Sequence, residues 1–437
     1  MNIIFSNYLK IPGKFVKNHK LKHQSEISTD KTLNSLDELF ILFDFSCGRF
    51  YTHHSSYLKD YHDFLIANNK RTHIWVNTSA DKEVLDIFPG NVKSILRSNL
   101  YSHTSNDNFK LFLVNYLVNL SERFNASGIL RFFLKQYYIR PAVKEFERLL
   151  QTQLPINIIA PTLDGLGLRF VEEILKRYHH NISLVSLRVT GAERRSVFGA
   201  PNSLQILKEL IELYPNKIHL GFEVKALEAM MISKEIPVKN IFWAPMPYIF
   251  RNSNVNANAV VRNVPEIRLG FLGSGRPNKG FDEIPALLDD LRNKDIGFKA
   301  FIQLPKFKWN NFETTLNLLL AKHSESIIFV QPGTSKMALD QTIASMDLIV
   351  LPYRLENYKI AGSGILFLAC DFRIPVAATK DLAFSWDIEQ YQIGFSFNGA
   401  AEFSHKVLSL ENSNLYSNID IYNEARNQAN LEFLRVY

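Results

Sequence analysis

Short apolar runs alternate with helix-length stretches along this chain, and the alternation comes in two series separated by one polar break. In the first series, residues 38–46 (ELFILFDFS), 72–77 (THIWVN), 155–160 (PINIIA), 182–189 (ISLVSLRV) and 218–224 (IHLGFEV) read as buried strands. Residues 169–179 and 203–214 supply helix-length segments between them. In the second series the strands are 267–273, 298–304, 326–331, 347–353 and 374–379, again with helical stretches between. A strand that must return parallel to its neighbour needs a crossover helix, so each series predicts a mostly parallel sheet covered on both faces. The break, 252–265 (NSNVNANAVVRNVP), is asparagine-rich and reads as a linker. The fold class expected is α/β: two Rossmann-like, doubly wound domains, residues 1–250 and 251–437, facing a central cleft. Such sheets bind ligands at the carboxyl ends of their strands.

The composition is that of a globular chain with a core: 437 residues, 46% hydrophobic and 21% charged. Lysine and arginine exceed aspartate and glutamate, 50 to 43, a net +7 that suits an anionic partner without selecting one. The positive charge is scattered and no nucleic-acid motif occurs, so nucleic acid is not expected as a partner. Two distant cysteines, Cys47 and Cys370, make no disulfide framework. The first residues carry no signal-peptide pattern, and no apolar run is long enough to span a bilayer. A cytoplasmic protein is expected. Residues 129–144 interleave Phe132, Phe133, Tyr137 and Tyr138 with Arg131, Lys135, Arg140 and Lys144. They read either as core with a solvated face or as a helix touching an anionic membrane surface from inside.

Two stretches carry chemistry. Residues 267–282 (IRLGFLGSGRPNKGFD) run from a strand through a turn with Gly273, Gly275 and Gly280 into a helix expected over 282–292. Arg276 and Lys279 stand in that turn, and fixed cations beside a helix N-terminus suit a diphosphate. Residues 347–379 place Pro352 and Tyr353 at a strand end, then a loop with Glu356 and Tyr358, then Gly362, Ser363 and Gly364 at the start of an apolar helix. Small residues there leave N–H groups open to an anion, and Ser363 adds a hydroxyl. The two helix starts can converge on one diphosphate.

Together these stretches resemble the C-terminal donor domain of GT-B-fold glycosyltransferases, notably the retaining family-4 type. The resemblance covers roughly residues 267–397 and rests on the order Gly-Arg…Lys-Gly, then Pro-Tyr…Tyr…Ser-Gly. It implies that Arg276, Lys279, Gly275, Ser363 and Gly364 bind the donor diphosphate, and that Tyr353, Glu356 and Tyr358 belong to the donor loop. It also implies a nucleotide-sugar co-substrate, a hydroxyl acceptor on a glycan or lipid carrier, and retention at the anomeric carbon. Members of the family commonly have two glutamates at the positions of Ile360 and Leu368, and a glycine at that of Arg373. Those departures bear on nucleotide binding, and they leave a non-catalytic GT-B partner subunit as the alternative reading.

In the first half, Arg49, His53 and His54 follow a strand, Asp164 occupies the next strand-to-helix turn, and Arg188 opens an arginine-rich segment, 188–195. Arg188 and its neighbours read as a grip on an acidic acceptor or as surface charge. Glu223, near a strand end, is expected to reach the cleft. No Asp-x-Asp motif and no zinc spacing occurs, so neither a metal nor a resident cofactor is expected.

Overall fold

A computed structural model describes residues 38–47, 53–88, 90–96, 135–191, 194–248, 266–306, 308–332, 336–410 and 414–436. The proposed boundary at 250/251, the linker, Arg49 and residues 129–134 lie outside the described residues.

The first sheet has seven parallel strands in the order β3-β2-β1-β4-β5-β6-β7. These are β1 Leu39–Phe43, β2 Arg71–Asn77, β3 Val92–Leu96, β4 Ile156–Ala160, β5 Ile182–Val189, β6 Ile218–Phe222 and β7 Ile241–Trp243. The second has six, in the order β10-β9-β8-β11-β12-β13. They are β8 Ile267–Phe271, β9 Phe298–Gln303, β10 Ile327–Val330, β11 Leu348–Leu351, β12 Val376–Thr379 and β13 Gly394–Phe397. Every pairing is parallel.

The helices that position the site are α1 His53–Ala67, α2 Arg140–Leu149, α3 Gly165–Tyr178, α4 Lys225–Ser233, α5 Ile284–Asn293, α6 Leu355–Tyr358, α7 Gly364–Asp371, α8 Ser385–Tyr391, α9 Gly399–Leu408 and α10 Leu415–Leu434. Central strands β1, β4 and β11 are buried at every position, because helices cover both faces. That double cover explains their unbroken apolar runs. The helix expected over 282–292 starts later. Two short 3₁₀ turns, Pro277–Lys279 and Phe281–Glu283, precede α5. Gly280 between them adopts φ +69°, and a Cβ there would fall on the Pro352 carbonyl, so only glycine fits.

The last helix ties the halves together. Arg426 of α10 is wholly buried and donates to the Met246 carbonyl at 2.9 Å and to Asp371 of α7 at 2.9 Å. Its C-terminal end reaches the first sheet, where Ser186 and His219 contact the Phe433 carbonyl at 3.0 and 2.7 Å. His219 also stacks on Phe242, and burial holds its pKa down at about 4. Among the described residues no helix is long and apolar enough to cross a membrane.

Of the aromatic-basic segment, Tyr138 is core at 1% exposure and packs with Phe146, whereas Tyr137, Arg140 and Lys144 are exposed. Of the two readings of this segment, buried Tyr138 fits the core, and exposed Tyr137, Arg140 and Lys144 fit its solvated face.

Candidate active site

Each sheet reverses its strand order once, between β1 and β4 in the first and between β8 and β11 in the second. Ligand crevices in such sheets open at these points. The chain leaving β8 and the chain leaving β11 meet at the second. The Arg354 N–H donates to the Asn278 carbonyl at 3.1 Å, and the Arg354 side chain pairs with Asp282. The glycine turn and the Pro352–Tyr353 loop are thus one structure.

Within it, Gly273, Ser274 and Gly275 all have positive φ. The side-chain carbonyl of Gln303, at the end of β9, accepts the Gly273 and Ser274 N–H groups at 2.8 and 2.7 Å. Those two donors are therefore committed to shaping the turn, and the turn's contribution to an anion is its cations. Arg276 is exposed and Lys279 half-buried. Neither forms an ion pair with a described carboxylate. The Lys279 ammonium lies 5.1 Å from the centre of the Tyr353 ring. Burial lowers its pKa, Tyr358 pulls it back up and Arg276 lowers it further.

The Tyr353 and Tyr358 rings lie tilted at 44° to each other with centres 4.4 Å apart. Tyr353 is 1% exposed, and burial pushes its hydroxyl well above the usual tyrosine range. Ser363 lies beside it as the N-terminal cap position of α7, 4% exposed and making no side-chain cap. Neither hydroxyl is in hydrogen-bonding geometry with a described residue, although Ser363 lies near enough to Tyr353 to pull its pKa down against the effect of burial. A Cβ on Gly273 would lie 2.8 Å from the Tyr353 hydroxyl and 2.9 Å from the Lys279 nitrogen, which fixes how closely these groups gather. Gly364 faces open space, with nothing within 4 Å of an added Cβ.

Glu356 sits 4.0 Å from Arg354 and lines, with Pro352, Tyr353, Glu283 and Thr379, a cavity of about 310 Å³. Ile360 and Leu368 pack against the core.

At the switch point of the first sheet two carboxylates gather the neighbouring donors. Asp44 accepts the Ser46 N–H at 2.8 Å, His54 Nδ1 at 2.8 Å and the Thr162 hydroxyl. Asp164 caps α3 through the Gly167 N–H at 2.7 Å and takes the Ser46 hydroxyl at 3.1 Å. Burial raises its pKa to about 6, Gly167 opposes this and Asp44 adds to it. His54 and Asp164 are buried, at 4% and 6% exposure, so as placed they build the platform and do not present themselves to a ligand. His53 opens α1.

Arg188 is a second correction. It is 0% exposed and donates to the Ala244 and Pro161 carbonyls at 2.7 and 3.1 Å and to Glu223 at 2.7 Å, with the Tyr57 ring 4.7 Å away. The side chain points along the sheet's carboxyl end rather than into solvent, so it grips loops, not an acceptor. Glu223 does reach the second half: its other oxygen accepts the Gly362 N–H at 3.1 Å and the Gly191 N–H at 3.4 Å. Sequence reasoning missed Gln303 and Asp44. Gln303 ends an apolar strand next to the glycine turn, and Asp44 interrupts the most apolar run of the first half. A lone polar residue at a strand's carboxyl end was the available signal. Among the described residues no group of three His, Cys, Asp or Glu side chains could hold a metal.

No protein-family model and no curated protein matches the sequence. Solved structures match the fold. HepE of Anabaena, described in complex with UDP, aligns with TM-score 0.54 and 13% identity over 92% of this chain and 100% of its own. The lipopolysaccharide outer core galactosyltransferase WaaB, apo form, aligns at 0.54 and 12% over 91% and 97%. The N-terminal domain of Candida albicans trehalose-6-phosphate phosphatase aligns at 0.55 and 10% over 92% and 96%. At these identities the likeness is one of fold: two Rossmann-like domains, the GT-B architecture.

Proposed function

We propose that this protein is a glycosyltransferase that moves a sugar from a nucleoside diphosphate to a hydroxyl acceptor. The observation that carries the reading is the gathering of two cations that pair with no described carboxylate, Arg276 and Lys279, with the uncapped start of α7 and two hydroxyls unpartnered among the described residues, at the switch point of the second sheet. A partly buried ammonium and open buried donors are costly without an anion. A diphosphate answers both at once: its charge offsets the burial that lowers the Lys279 pKa, and its oxygens take the free donors. In the transition state the same groups stabilise the charge that builds on the leaving diphosphate. Cations and helix ends then do what a divalent ion does elsewhere, which is the basis for reading the reaction as metal-independent.

Retention of configuration follows from the family-4 resemblance of the loop. The first domain is read as the acceptor side and the second as the donor side. HepE, described in complex with UDP, makes uridine nucleotides the first donors to test. WaaB, a lipopolysaccharide outer core enzyme, makes a cell-envelope glycan or lipid-linked acceptor the first acceptor class. Exposed Tyr137, Arg140 and Lys144 are the residues that would meet an anionic membrane from the cytoplasmic side.

Gly364→Val tests the donor site cleanly. The ligand-free structure has room for the new side chain, so folding is expected to stay as in wild type while nucleotide binding is lost. A panel of nucleoside diphosphates and nucleotide sugars, followed by calorimetry and donor hydrolysis, reads the result. No binding by the wild type across the panel, with and without lipid acceptors, would replace this reading with that of a non-catalytic partner subunit. The apolar residues at 360 and 368 already favour that alternative.

A further inference from the structure

Glu223 belongs to the first sheet, yet its carboxylate is shared with the second. One oxygen is held by the wholly buried guanidinium of Arg188, which is itself fixed by the Pro161 and Ala244 carbonyls. The other oxygen takes backbone N–H groups from both sides of the seam, Gly191 and Gly362. Gly362 directly precedes Ser363 and the start of α7. The approach is backbone to backbone: a Cβ on Gly191 would lie 2.5 Å from the Ala361 Cα, and a Cβ on Gly362 would lie 2.8 Å from the Glu223 carboxyl carbon.

A buried ion pair is a poor way to gain stability, since desolvating it costs about what the attraction returns. What it supplies here is direction. Three acceptors aim Arg188, Arg188 aims Glu223, and Glu223 fixes the residue before the α7 N-terminus.

We propose that the Arg188–Glu223 pair is a latch across the seam that positions the α7 N-terminus against Lys279, so that donor binding and the approach of the two sheets are coupled. Neither residue touches the donor; both are positioning residues. The coupling to a donor rests on the function proposed above, whereas the latch itself does not. Coupling of this kind is reciprocal: whatever holds the seam tightens the donor site, and a bound donor holds the seam.

Hydrogen exchange on the full chain tests it, with UDP as the probe. In the ligand-free protein, Glu223→Gln removes the charge that Arg188 aims, and Gly191→Ala pushes Ala361 away while leaving the pair intact. Both are expected to speed exchange at residues 360–366 and to weaken UDP by about tenfold, within the usual range of coupling between sites. The loss in kcat/KM should fall on KM for the nucleotide sugar. A merely structural role would lower the melting temperature without that localised exchange or that KM effect. In the wild type, UDP should slow exchange at 188–191 as well as at 360–366, a measurement that needs no variant. Unchanged exchange at 360–366 in folded Gly191→Ala, or UDP protection confined to the second sheet, would overturn the latch. If the wild type binds no UDP, the donor reading fails, and exchange in the ligand-free variants still decides the latch.

Discussion

The two halves of this molecule turn the same corner in opposite ways. Each sheet reverses its strand order once, and at each reversal two loops come together. In the first half the loops after β1 and β4 bring Asp44, Ser46, His54, Thr162 and Asp164 into one buried network centred on the two carboxylates. In the second half the loops after β8 and β11 bring two cations that pair with no described carboxylate, and two hydroxyls unpartnered among the described residues, into one cluster. Topology places a crevice; side chains decide whether it is closed from within or left to a ligand. Native proteins rarely leave buried polar groups unmatched, and the unmatched Tyr353 and Ser363 hydroxyls are part of why the donor site is proposed in the second crevice.

The largest effect expected is therefore on ligand chemistry in the second crevice. Arg276→Ala or Lys279→Ala should reduce turnover by about a hundredfold or more, the usual consequence of removing one preorganised charge-stabilising group. The melting temperature should hold or rise, because no carboxylate is left behind unpaired. Steady-state kinetics beside thermal unfolding gives both readings. Wild-type turnover in both variants would erase the contrast between the crevices.

The first crevice should respond in stability. Asp44→Ala leaves the Ser46 N–H, the Thr162 hydroxyl and His54 without their acceptor, at a cost of about 2 kcal/mol, within the range for stranding a buried polar group. Denaturant unfolding with an unchanged slope would show it. A variant as stable as wild type but with altered acceptor kinetics would mean that Asp44 serves a ligand after all.

This division also explains what could be read from the sequence. The long apolar runs became β1, β2, β4, β5, β6, β8, β9, β10, β11 and β12, because helix cover on both faces demands unbroken hydrophobicity. The strands left unread were β3, β7 and β13, which are the outermost strand on one side or both of their sheets. Edge strands bury less: β7 is only half-buried throughout, and β3 exposes Lys93. They carry little periodic signal. In the second crevice Arg276, Lys279, Tyr353, Tyr358 and Ser363 were legible because glycine and proline punctuation marks loops locally. Arg188 was misread because a guanidinium at a strand end looks the same in sequence whether it faces solvent or three buried acceptors. Long-range pairing, such as that of Arg188 with Glu223, has no local signature.

Acidity sharpens the contrast further. Asp164 has a folded pKa raised to about 6 from an ordinary 3.8, chiefly by burial. Between those values the folded protein keeps the proton and the unfolded chain releases it, so this group's share of stability is full below pH 3.8 and is lost as pH rises to about 6. Asp164→Asn keeps the helix cap, since asparagine caps as well as aspartate. It should therefore be more stabilising, or less destabilising, at pH 7 than at pH 4, by at least about 1.4 kcal/mol, the value of one pKa unit. Melting temperatures at the two pH values test this. Parallel pH curves for wild type and variant would show that water reaches the first crevice.

The smallest effect comes from matching one hydroxyl in each crevice. The Thr162 hydroxyl donates to Asp44, so Thr162→Val should lose about 1 kcal/mol of stability, the net worth of a typical internal hydrogen bond. Ser363 is equally buried but its hydroxyl has no partner among the described residues. Removing it takes away a desolvated polar atom without stranding a neighbour, so Ser363→Ala should leave stability unchanged or raise it slightly. Its cost should surface only with the ligand, as a roughly fivefold loss of nucleotide affinity when one hydrogen bond to phosphate is missing. The signs thus oppose: one hydroxyl serves the fold and the other a molecule not yet bound. Thermal unfolding and calorimetry on the two variants measure both signs. If Ser363→Ala lowers stability as much as Thr162→Val and leaves nucleotide affinity alone, Ser363 has an internal role and the second crevice is no more open than the first.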